Sequence, residues 1–74
     1  MSFEYSKLRG RIRERFATEG LFAREIGVSK QTLSAKLNNK VLFSQREIKK
    51  MCSILDIATE DIPAYFFTEK VQET

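Results

Sequence analysis

The stretch Glu19–Asn38, EGLFAREIGVSKQTLSAKLN, leaves few folds open to this chain. Phe22, Ala23 and Ile26 fall at i, i+1 and i+4, on one face at 3.6 residues per turn, and Leu33 and Leu37 sit four apart on a second helical pattern. Gly27 separates the two, and glycine accepts the positive φ that a tight helix stop requires. Ser29 stands where an N-cap oxygen would start the second helix. A small Ala23 facing that helix allows close packing. The spacing predicts two short helices joined by a tight turn, the pattern of a helix-turn-helix, whose second helix can be offered to a DNA major groove.

The rest of the chain supplies core around this pair. A first helix is expected over about Lys7–Ala17, capped by Ser6, with Leu8, Ile12 and Phe16 inward and Arg9, Arg11, Arg13 and Arg15 spread over its solvated flanks. Gly10 costs such a helix about 1 kcal/mol relative to alanine, and close approach by another backbone, of protein or of DNA, is the expected compensation. Thr18 is the expected cap of the second helix, with Glu19 complementing its dipole. The third helix should begin after Ser29 and reach about Asn38, and Asn38–Lys40 form its exit loop. Ser44 and Glu47 have capping-box spacing, and Phe43 with Ile48 has that of a hydrophobic staple. A fourth helix therefore starts there, burying Ile48, Met51, Cys52 and Leu55, with Cys52 a small hydrophobe. Thr59 should cap a short fifth helix, unless Pro63 delays its start. Tyr65–Phe67 either closes the core or is shared with a partner, and Thr68–Thr74 forms a polar tail.

Composition sets the class. Seventy-four residues make a single domain, 1–74, with the two-helix unit at about 19–38. Hydrophobic residues at 42% give enough apolar surface for a globular core. The chain contains no histidine, no phosphate-binding glycine loop and no metal-ligand spacing, so no enzyme activity, cofactor or metal is expected. The apolar runs are too short to span a bilayer, the N-terminus lacks a signal-peptide core, and one cysteine suits a reducing compartment. A cytoplasmic protein with no membrane partner is expected. Charge is uneven: nine bases against four acids give +5 through Lys40, and four bases against six acids give −2 beyond it. A polyanion is the simplest partner for the basic half.

With Leu33 and Leu37 inward, Lys30, Gln31, Ser34 and Ala35 turn outward on the third helix. Lysine can donate to guanine, glutamine can pair with adenine, and a methyl can meet thymine, so these four are the candidate base-reading residues. Thr18, Ser29, Lys36, Asn38, Asn39 and Lys40 are the candidate phosphate contacts, fixing register without reading sequence. Ordinary surface helices carry the same residue types; the surrounding motif is what favours the functional reading.

Ala23, Ile26, Gly27, Val28 and Leu33 match the spacing of the Cro/repressor helix-turn-helix family of phages and bacteria, and the chain resembles small Cro-like prophage regulators. That resemblance implies an all-α, five-helix, lambda-repressor-like domain that regulates transcription by binding double-stranded operator DNA, as a homodimer on a palindrome. Two positions depart from the pattern. Glu19 replaces a glutamine that often anchors phosphate, and Lys36 occupies a frequently apolar site. The alternative is a protein-binding antirepressor or antitoxin-like module using the same fold, with Tyr65, Phe66 and Phe67 as its interface.

Overall fold

A computed structural model describes residues 3–69, folded as α1 (Ser6–Phe16), α2 (Glu19–Ile26), α3 (Lys30–Leu37), α4 (Gln45–Leu55) and α5 (Ile62–Phe66). A 3₁₀ turn at Thr59–Asp61 leads into α5. Among the described residues there is no strand, only an isolated antiparallel bridge between Phe3 and Glu69. Most of the expected tail, residues 70–74, lies outside the described residues.

Three helices start on a side-chain oxygen. Thr18 accepts from the Leu21 N–H at 3.2 Å, Ser29 from Thr32 at 3.1 Å and Ser44 from Glu47 at 3.1 Å. Glu47 completes the capping box by accepting from the Ser44 N–H at 2.8 Å. Each bond satisfies a donor that the first turn leaves without an intrahelical partner. Gly27 ends α2 at φ +82°, and the following Val28 N–H returns to the Ala23 carbonyl, closing the turn before Ser29.

α1 and α5 start elsewhere than the sequence suggests. Ser6 is the first residue of α1, not its cap; Tyr5 precedes it with no side-chain capping bond, and the Ser6 N–H is met by Glu4 Oε1 at 2.6 Å. The reason is packing. Tyr5 is buried against Phe43, ring centroids 5.4 Å apart and edge-on, which fixes where the chain enters α1. α5 begins at Ile62, with Pro63 in its first turn where the missing N–H costs nothing, so the proline delays the helix. Gly10 has no close neighbour: a Cβ there would meet nothing within 4 Å. It stands two residues from both Leu8 and Ile12, opposite the buried face, so no backbone of this domain approaches it among the described residues.

Phe22, Phe66, Leu8, Ile12, Leu33, Met51 and Leu55 form the fully buried centre. Phe16 packs half-buried against Phe22 at 5.2 Å. Cys52 lies in the same core, and burial pushes its thiol pKa up, which keeps it protonated and apolar. The arginines of α1 are less free than solvated flanks would be. Arg11 Nε donates to the Leu55 carbonyl at 2.9 Å and its Nη2 to the Asp56 carbonyl at 3.3 Å, placing a cation at the negative end of α4.

The segment ahead of α1 is held from two sides. Asn39 Oδ1 accepts from the Phe3 N–H at 2.8 Å, and Asn39 Nδ2 donates to the Phe3 carbonyl at 2.7 Å. Glu4 N–H donates to the Thr68 carbonyl at 2.7 Å. This strap therefore ties the loop after α3 to the residues after α5.

Candidate interaction surfaces

α3 presents one row of side chains to solvent because its other row is consumed by Leu33 and Leu37. Lys30 and Gln31 are exposed, and Ser34 and Ala35 are half-buried. Together with Asn38 and Lys40 these four line a shallow open hollow of about 430 Å³. The structure thus brings the four candidate base-reading residues onto one surface.

The six candidate phosphate contacts do not stay together. The oxygens of Thr18 and Ser29 accept from helix N–H groups, and the Ser29 hydroxyl also donates to Thr32 Oγ1 at 2.9 Å. Lys36 turns down to Glu47, with 11% of its side chain exposed, and its ammonium stands 6.0 Å from the Phe43 ring centroid. Burial alone would raise the Glu47 pKa. Hydrogen bonds from Lys36 and Ser44, with the charge of Lys36, outweigh that and hold it below the ordinary value. Asn38 accepts from Arg9 Nη2 at 3.1 Å and donates to Ser34 Oγ at 3.3 Å. Both ends of the Asn39 amide are spent on Phe3. Lys40 is exposed and has no acidic partner within 4 Å among the described residues.

The aromatic cluster near the C-terminus divides. Phe66 is core, Tyr65 is half-buried with the Lys7 ammonium 4.8 Å from its ring centroid, and Phe67 is 49% exposed. Phe67 meets Phe3 edge-on at 5.8 Å, and the two rim an apolar groove of about 250 Å³ with Leu42, Phe43 and Ile48. Among the described residues no charged side chain lines it. Leu42 is 70% exposed and its neighbour Val41 52%, so the loop between α3 and α4 offers the two most exposed large aliphatic side chains of the described residues. Their signal in the sequence was an apolar VLF run directly after a helix exit, which is no place for core residues unless something covers them.

A third concavity, of about 330 Å³, lies where α1 ends and α2 and α3 begin, lined by Arg9, Arg13, Glu19 and Lys30 among others. Glu19 is turned into it, 83% of its side chain buried, and takes Arg9 Nη1 at 2.8 Å. Its carboxylate neutralises an arginine of this cleft, in addition to complementing a helix dipole. Arg13 and Lys30 have no acidic partner among the described residues. Sequence spacing did not pair Arg9 with Glu19, because they belong to different helices and meet only once those helices pack.

A family model described as a protein of unknown function, DUF739, matches residues 1–69. The chain belongs to the DUF739 family. Among solved structures, this DUF739 protein is similar to the solution structure of the modulator of repression (MOR) of the temperate bacteriophage TP901-1 from Lactococcus lactis. The two are 44% identical with a TM-score of 0.81, and the match covers 97% of each chain. Among curated proteins nothing matches it significantly.

Membership in DUF739 corrects the expected assignment to the Cro/repressor family. The residues that carried that resemblance are packing and turn positions: Ala23 and Leu33 are buried, Ile26 and Val28 half-buried, and Gly27 is left-handed. They dictate how two short helices join, and any family that uses the same junction satisfies them. No helix of the described residues is long and apolar enough to cross a membrane.

Proposed function

We propose that this DUF739 protein is a phage regulatory protein that modulates repression by binding a protein, the repressor of the phage that carries it. The observation that carries the reading is the uncharged groove between Phe3 and Phe67, with Leu42 projecting at its rim. Exposed apolar residues gathered at a concavity are what a protein interface uses, with large side chains as anchors. The phosphate backbone of a duplex finds no cation there among the described residues. Two further points support a protein partner over DNA. Of the six candidate phosphate contacts, five have side chains bonded within the fold, and the relative covering 97% of the chain is named for modulating repression. A DNA-bound homodimer, by contrast, would rest on the outward row of α3 and on Lys40.

Isothermal titration of the purified chain against that repressor tests this. A saturable complex is expected, lost on Leu42→Asp, with no shift of the phage's operator DNA by the chain alone. Leu42 is mostly in solvent, so the aspartate leaves the fold intact, checked by circular dichroism. A specific operator shift by the chain alone, with no repressor complex, would refute the reading.

A further inference from the structure

The apolar groove and the basic cleft are not separate features. Phe3 lines the groove and also a polar hollow beside it, which Arg9 shares; Arg9 in turn lines the cleft with Arg13 and Lys30. Neighbouring concavities thus lead from the apolar end at Leu42 and Phe67, past a hollow that Glu4 also lines, to the cationic end at Arg13 and Lys30. Resting on the protein-binding reading above, we propose that the partner offers an acidic, apolar-anchored segment. A large apolar side chain fills the groove, and one or more carboxylates enter the cleft between Arg13 and Lys30.

Charge complementarity carries the choice of occupant. The cleft holds three cations and one carboxylate, and Glu19 is already committed to Arg9 at 2.8 Å. Among the described residues two positive charges thus remain without an acidic partner, both on exposed side chains at one open concavity, where their summed field attracts an incoming anion. The Arg9–Glu19 pair shows that the cleft accommodates a carboxylate at hydrogen-bonding distance from a guanidinium. A protein segment can present carboxylates beside an apolar anchor. A sugar–phosphate backbone has no counterpart to the anchor, and the uncharged end of the surface would gain nothing from it.

The test is a charge-reversal series titrated against the purified repressor. Arg13→Glu and Lys30→Glu are each expected to weaken the complex roughly tenfold, as removal and inversion of an interfacial charge does. The pair together should also flatten the salt dependence of affinity. Lys49→Glu makes the same change of net charge at an exposed position of α4, outside the cleft, and should leave affinity within about twofold. If Leu42→Asp abolishes the complex while Arg13→Glu and Lys30→Glu leave it unchanged, the acidic segment is refuted and the protein-binding reading survives. Equal weakening by Lys49→Glu would refute the cleft by showing attraction to net charge alone. Absence of any repressor complex with the wild-type chain overturns both. DNA binding by the wild-type chain that disappears in Arg13→Glu would assign the cleft to phosphate instead.

Discussion

Replacing Asn39 should destabilise the domain in the complete absence of any partner, by an amount that separates its two structural duties. Its amide makes two bonds to the Phe3 backbone, 2.8 and 2.7 Å long, and its own backbone is left-handed at φ +65°. In Asn39→Ala both bonds go, at about 1 kcal/mol each, and an alanine is held in a conformation that costs a further ~1 kcal/mol. The sum is about 3 kcal/mol. Asn39→Gly loses the same bonds but relieves the backbone penalty, offset in part by the greater freedom of an unfolded glycine, leaving about 2 kcal/mol. For a domain of this size those values lower Tm by roughly 8–24 °C, alanine more than glycine. Urea unfolding with a fixed m-value measures both. Hydrogen exchange at the Phe3 amide gives a local readout, since its acceptor is the side chain removed. If both variants unfold within about 0.5 kcal/mol of wild type and Phe3 exchange is unchanged, the clamp contributes nothing and the reasoning fails.

Two further outcomes follow from the same geometry. Phe66→Ala should cost about 3–5 kcal/mol, against less than about 1 kcal/mol for Phe67→Ala, because Phe66 is 1% exposed and its neighbour half in solvent; comparable urea midpoints would contradict the division of the aromatic cluster. The depressed Glu47 pKa means that its contribution to stability is fully present above the unfolded carboxylate value, about 4.5, and is lost as pH falls through the lower folded value. The stability gap between wild type and Glu47→Gln should therefore narrow on acidification below about pH 4.5; a gap that widens there would reverse the sign of the argument.

Much of the architecture is legible in the residues because it rests on contacts near in sequence. The capping oxygens of Thr18, Ser29 and Ser44 act within three residues of themselves, and the inward rows Leu8/Ile12 and Leu33/Leu37 follow from helical period alone. Gly27 needed only its own left-handed φ. Where neighbours distant in sequence decide, local reasoning misses. Ser6 looked like a cap until Tyr5 was drawn into the core, and the freedom of Gly10 could not be read without knowing that nothing packs on that side of α1.

The candidate site divides along the same line. The sequence by itself determined that Lys30, Gln31, Ser34 and Ala35 share an outward face, since a helix with two leucines four apart has only one side left to show. It could not determine which polar groups remain available to a partner. Lys36 meets Glu47 from another helix, Asn39 meets the Phe3 backbone from 36 residues earlier in the chain, and Glu19 meets Arg9 across a helix junction. The groove at Phe3, Leu42 and Phe67 likewise exists only once the two ends of the chain are brought together. Helical period and capping act over a few residues and are written in order along the chain. Hydrogen-bond partners and concave surfaces depend on which helices pack side by side, and that was settled by tertiary structure.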